Sequence, residues 1–222
     1  MRAATVAGTA ALAAALAACG GAPLPADDGP LAGPPVLAPL GTGARWTYRV
    51  TDPVKGVFDK DVVVLGPAAV PESSAAAIEV RDTEPTGEET AWVGVEGGFL
   101  VRHREEDRRA GVLVRATTWT PGAPKTLAVE ARAGFTARIT VNEREWHPDD
   151  TVSTKSPVYR FTVVATGVKV TVPAGTFSCV QVERERLDKV DPKRTYWLAP
   201  GVGKVREEGE RVEELRSYVA GT

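Results

Sequence analysis

From Arg45 onward, apolar and polar residues alternate with a period of two rather than 3.6. Successive side chains of a strand point to opposite faces, so this alternation predicts strands that bury one face. Trp46, Tyr48 and Val50 share a face of a first strand. Val62-Val63-Val64-Leu65 ends at Gly66-Pro67, and Ala77–Arg81 gives another short run. Ala91–Val95 and Phe99–Arg102 flank Glu96-Gly97-Gly98, a hairpin signal. Val112–Arg115 leads to Thr117-Thr118-Trp119, after which Pro121-Gly122 breaks the run. Phe135 to Trp146, Val158 to Val172 and Phe177 to Leu187 alternate cleanly. Helical windows are scarce, Pro71–Ala77 having room for one turn, and no repeat of fixed period is visible. The pattern predicts an all-β domain with at most a minor helix, over residues 42–222.

Two turns are sharply encoded. In Val172-Pro173-Ala174-Gly175-Thr176 the proline presets φ for the first turn position and Gly175 permits positive φ, which predicts a hairpin with a bulge. Pairing Val172 with Thr176 sets Val168, Val170, Val172, Val180 and Val182 on one face, with Phe177 and Cys179 on the other. Apolar residues on both faces favour a curved sheet over a flat one. Ala199-Pro200-Gly201-Val202 has the proline and glycine order of a type II turn.

The pattern changes before Arg45. Residues 20–41 are rich in Pro, Gly and Ala, too poor in apolar surface to offset their ordering entropy, and are expected to form a tether. Ahead of them, Leu16-Ala17-Ala18-Cys19 closes an Ala/Leu-rich run behind Arg2. This resembles a bacterial lipoprotein signal with its lipobox. The run from Ala3 to Ala18 is shorter than the roughly 20 residues that span a bilayer, as befits a cleaved segment. The resemblance implies a signal peptide over 1–18, lipidation of Cys19 by a diacylglyceryl group and a further acyl chain such as palmitate, and a tether over 19–41. In a cell with two membranes, Gly20 in place of Asp permits sorting to the outer membrane. Two or three chains on one cysteine give firm attachment, where one is marginal.

A second resemblance rests on Val172–Phe177, on Tyr196-Trp197-Leu198-Ala199-Pro200-Gly201-Val202-Gly203-Lys204-Val205, and on Glu214-Leu215-Arg216-Ser217-Tyr218. These segments look like the C-terminal half of uncharacterised bacterial lipoproteins and periplasmic domains of unknown function. Their expected architecture is similar to LolA/LolB-like half-barrels. The resemblance implies a single curved antiparallel sheet, a half-barrel or open barrel, and supplies no catalytic residues.

Charge and chemistry narrow the function by exclusion. The chain has 27 basic and 29 acidic side chains, interleaved rather than striped, unlike a nucleic-acid binder. With Cys19 lipidated, Cys179 is left alone, so the mature domain has no internal disulfide and rests on its hydrophobic core. Cys179 itself reads as a small core hydrophobe. His103, Glu105 and Asp107 occupy alternate positions and would share a strand face, but four nearby arginines oppose a dication. His147-Pro148-Asp149-Asp150 reads as a turn. Serine-hydrolase, zinc and phosphate-loop motifs are absent. Glu183, Glu185, Glu207, Glu208, Glu213 and Glu214 alternate with arginines and are expected in ion pairs on a wet face. The five tryptophans are expected in core or rim packing. No catalytic, metal-binding or cofactor residue is assigned. The expectation is a lipid-anchored envelope lipoprotein, non-enzymatic, an accessory that binds a partner protein or an apolar ligand in the sheet's concavity. A hydrolase with scattered acidic residues and a purely structural lipoprotein are the alternatives.

Overall fold

A computed structural model describes residues 28–73 and 75–222. The signal segment 1–18 and the lipidation residue Cys19 lie outside the described residues. Fourteen strands follow one another: β1 Arg45–Asp52, β2 Gly56–Ala69, β3 Ala76–Glu84, β4 Gly87–Glu96, β5 Phe99–Arg109, β6 Val112–Leu127 and β7 Thr136–Thr140. The rest are β8 Asn142–Trp146, β9 Val152–Lys155, β10 Val158–Val172, β11 Gly175–Arg186, β12 Arg194–Ala199, β13 Gly203–Glu208 and β14 Val212–Val219. Among the described residues there is no helix; Pro71–Ser73 forms a turn, not the minor helix allowed for Pro71–Ala77.

All strands belong to one antiparallel sheet in the order β7-β10-β11-β12-β13-β14-β1-β2-β3-β4-β5-β6-β8-β9. Its ends are covalent neighbours. Only Val141 separates β7 from β8, and only Ser156 and Pro157 separate β9 from β10. The pairs Thr140–Val158 and Glu143–Lys155 keep one register, and the Val141 N–H donates to the Pro157 carbonyl at 3.2 Å between them. These four strands are therefore two arms of a single long hairpin. Its base pairs through β10 with β11, and its tip pairs through β8 with β6. The sheet wraps into an open barrel whose ends meet along this diagonal hairpin.

Several breaks expected from Gly and Pro are bulges inside longer strands. β2 runs through Gly66-Pro67 with a register shift after Val64, and β6 runs through Pro121-Gly122. A bulge absorbs an unpaired residue and bends the strand, which a wrapped sheet requires. The 172–176 turn also differs from expectation. Val172 pairs with Gly175, and Val170 with Phe177, so the loop has two residues. Irregular pairing between Val163 and Val168 then separates the valine face. Val170 and Val172 pack with Cys179, while Val180 and Val182 pack with Phe161.

On the inner face, β4, β11, β12, β13 and β14 change character along their length. Toward one end lie Ala91, Val182, Leu198, Val205 and Leu215, all buried in two apolar clusters. Two or four residues along the same strands, toward the other end, lie Glu89, Arg184, Arg194, Glu207 and Glu213. The barrel is thus a plugged base below a charged cup.

The base is closed by part of the stretch expected to be a free tether. Leu37 is fully buried, its N–H donates to the Ala128 carbonyl at 2.8 Å, and the Gly201 N–H donates to the Val36 carbonyl at 2.7 Å. Leu31 packs across Gly98, where φ is 85° and an added Cβ would sit 2.4 Å from Leu31 Cβ. Four apolar residues, Leu31, Val36, Leu37 and Leu40, recover what the surrounding prolines and glycines cannot. Within the stretch 19–41, expected as a tether, these described residues lie packed against the base.

Candidate functional site

The cup encloses about 810 Å³ and opens at the end opposite the N-terminal segment. One wall is a closed ion network. Glu213, 2% exposed, accepts from Lys60 at 2.8 Å and from Lys204 at 2.5 Å, and pairs with Arg211 at 2.6 Å. Lys204 also donates to Glu207 at 2.6 Å, and its Nζ lies 4.8 Å from the Tyr48 ring centroid. Burial is the largest single influence and opposes ionisation of both carboxyls, but Lys204 and the other cations together outweigh it. Glu207 is held down to about 2, and Glu213, which also feels Lys60 and Arg211, lies further below the carboxylate range. Glu207 and Glu213 were expected on a wet face. Only Glu183, Glu185, Glu208 and Glu214 belong to half-exposed pairs, with Arg206 joining Glu208 and Glu214.

The facing wall gathers acids. Carboxylate oxygens of Glu89, Glu105 and Asp107 lie within 4.8 Å of one another. Arg102 bonds to Glu105; Arg115 donates to Asp107 at 2.5 Å and to Glu105 at 3.1 Å. Burial, then Glu105 and Asp82, push the Glu89 carboxyl up to about 7 against the pull of Lys125 and Arg102. Burial, with Glu105 adding, also raises Asp107 despite Arg115. Two of the three alternating residues considered for a metal are therefore together, Glu105 and Asp107, while His103 is not. The register shift between Arg102 and Arg104 turns His103 away, beside Gly94 and Glu96. Guanidinium groups already supply positive charge to this trio.

The floor lies where the two sides of the barrel touch. Arg184 of β11 reaches across to the Lys125 carbonyl of β6 at 3.4 Å, its guanidinium 5.5 Å from the Tyr159 ring and 5.9 Å from the Tyr196 ring. Arg102 lies over the Trp119 ring at 4.8 Å, and its Nε is buried without a partner among the described residues. A second recess of about 430 Å³ opens from this floor and shares Arg102, Arg115, Arg184 and Arg194 with the cup.

Other candidates fall elsewhere. Cys179 is buried in the base and its thiol is pushed up to about 11 by burial, as a structural cysteine should be. Residues 147–151 form the expected turn, closed by the Asp150 N–H donating to the His147 carbonyl at 3.0 Å. Trp46, Trp92 and Trp119 are buried; Trp146 and Trp197 are half-buried. Sequence reasoning missed Glu89, Lys125, Arg184 and Arg194. The signal available was positional: each of Glu89, Arg184 and Arg194 stands two residues from an inward apolar side chain, always toward the same barrel end.

No protein-family model matches the chain, and no curated protein matches it. Two solved structures align with it. One, of a putative lipoprotein from Parabacteroides distasonis, is 14% identical with a TM-score of 0.43, covering 83% of this chain and 98% of that one. The other, of a putative exported protein with a YmcC-like fold from Bacteroides fragilis, is 13% identical with a TM-score of 0.43, covering 83% and 99%. The site is therefore read from its own residues.

Proposed function

We propose that the protein is a lipid-anchored lipoprotein of the cell envelope, held through Cys19. It acts as a non-enzymatic accessory whose cup receives a charged group of a partner. The observation that carries the binding half is the cup itself: a wide, open cavity whose wall is almost entirely charged. Tyr196 and Val114 are its large uncharged side chains and most of the others are charged, so a charged partner fits better than an apolar ligand. If the organism has two membranes, Gly20 favours the outer one.

Two experiments test the reading. Cys19→Ser is expected to shift the protein from the membrane pellet to the soluble envelope fraction, and unchanged fractionation overturns the anchor. A photo-crosslinking residue at Thr86, on the cup wall, should trap a discrete partner that the same probe at outward-facing Lys169 does not. Equal labelling from both positions sinks the cup as the binding face. One observation favours a second reading, an acidic hydrolase: Glu89 and Asp107 are close and both titrate high. Glu89→Gln with Asp107→Asn should leave complementation of a deletion strain intact. Its loss in a folded variant would favour the hydrolase.

A further inference from the structure

We infer that the floor of the cup is a receptor for a dianionic phosphoryl group, held by Arg184 and Lys125 together with the hydroxyls of Tyr159 and Tyr196. The inference rests on the cup being a binding site and names what it binds. Its basis is an imbalance in an otherwise well-paired lining. Lys55, Lys60, Arg102, Arg108, Arg115, Arg194, Lys204 and Arg211 each have a carboxylate partner. Among the described residues Arg184 and Lys125 have none, and they are neighbours. Arg109, at the exposed rim, is the remaining unpaired cation. Glu89 feels Lys125 electrostatically but lies beyond ion-pair distance.

The donors around these two charges also lack acceptors. Tyr196 is 3% exposed and Tyr159 7%, yet neither hydroxyl has a hydrogen-bond partner among the described residues. Tyr196 lines the cup and Tyr159 the adjoining recess, so both face the same floor. Neither hydroxyl oxygen is sealed from solvent, so both stand open to the cup as donors for an incoming oxyanion. Arg184 spends one N–H on a long contact to the Lys125 carbonyl and has the rest of its planar fork for oxygen atoms. Two tyrosine rings flank it, at 5.5 and 5.9 Å, and restrict its movement before binding.

Charge selects among oxyanions. Two positive charges without an ion-pair partner match a phosphate monoester, which carries about −1.5 to −2 near neutral pH, better than a single carboxylate. The group can arrive on a soluble sugar phosphate or on a lipid headgroup, and the chemistry at the floor is the same.

Titration calorimetry on the full-length chain in non-ionic detergent tests this with inorganic phosphate, glucose 6-phosphate and dihexanoyl phosphatidic acid. Acetate at matched ionic strength is the monoanion control. The phosphate probes should saturate at one site, with acetate at least tenfold weaker. Arg184→Gln and Lys125→Gln should each weaken phosphate at least tenfold, Tyr196→Phe severalfold, and outward-facing Arg49→Gln not at all. The tighter of the sugar and lipid probes identifies the source. Should Arg184→Gln fail to fold, Lys125→Gln carries the test, because the Lys125 side chain has no ion-pair or hydrogen-bond partner among the described residues. Absence of saturable binding by folded protein overturns the inference, as does acetate matching phosphate or binding that survives Lys125→Gln undiminished. Partner crosslinking at Thr86 without phosphate binding would overturn this inference alone and leave the partner reading standing.

Discussion

Glu89 and Glu213 pull the stability of the cup in opposite directions with pH. The ordinary carboxyl value of Glu89 is 4.5, and in the fold it rises to about 7, so its charged form is penalised by folding. Its favourable share is complete below pH 4.5 and is lost as pH climbs through 7. Glu89→Gln should therefore raise the melting temperature at pH 8, by the equivalent of about 1–3 kcal/mol, and change little at pH 4. Glu213 and Glu207 have the reverse sign: their contribution is present above 4.5 and fades as pH falls toward 2 and below. Glu213→Ala leaves Lys60, Lys204 and Arg211 facing one another and should cost about 3–5 kcal/mol in urea unfolding at pH 7. Charge alternation in the sequence does not separate these two from Glu208 or Glu214. Which glutamate enters the cup depends on strand phase, and a single bulge between Thr47 and Tyr48 shifts that phase where β1 meets β14.

At the scale of elements, turn chemistry was the legible part and strand continuity the illegible part. Glu96 pairs with Phe99 around Gly97-Gly98, and the Val202 N–H donates to the Ala199 carbonyl at 3.1 Å, both as the residues dictate. Pro173-Ala174-Gly175 was read as a turn correctly but one residue out of register, because the same residues suit a two-residue loop. Gly175 has φ of 130°, a region side-chain-bearing residues avoid. Gly175→Val should lower stability by more than about 1 kcal/mol, measured by thermal melting. An unchanged melt would refute the strained turn. Gly66-Pro67 and Pro121-Gly122 look identical to strand ends in one dimension. Only the wrapped sheet, which needs bends mid-strand, makes them bulges. Likewise Phe135–Trp146 reads as one strand and is nearly so, but no local signal shows that its two halves serve opposite ends of the sheet.

For the whole molecule, the division into plugged base and charged cup governs what can be removed. Leu37 joins a cluster drawn from β5, β6, β7, β10, β11 and β12, so it closes the barrel from outside the strand order. Leu37→Ala is expected to cost about 2–4 kcal/mol in chemical denaturation while leaving phosphate affinity in the cup unchanged. A loss under 1 kcal/mol would return residues 28–41 to the status of a loose tether. Fold class, curvature and an open barrel were readable from alternation and from apolar residues on both faces. The cup was not, since its lining is assembled from strands far apart in the chain.

With a lipid on Cys19, the docked N-terminal segment would also set which way the molecule faces. Asp28 is fixed to the base, its carboxylate accepting from the Thr136 N–H at 2.8 Å. Cys19 precedes it by only nine residues, a leash of at most about 30 Å when fully extended. A lipid on Cys19 would hold the plugged end toward the bilayer. The mouth would then look away from its own membrane, presenting the cup to whatever crosses the space beyond it.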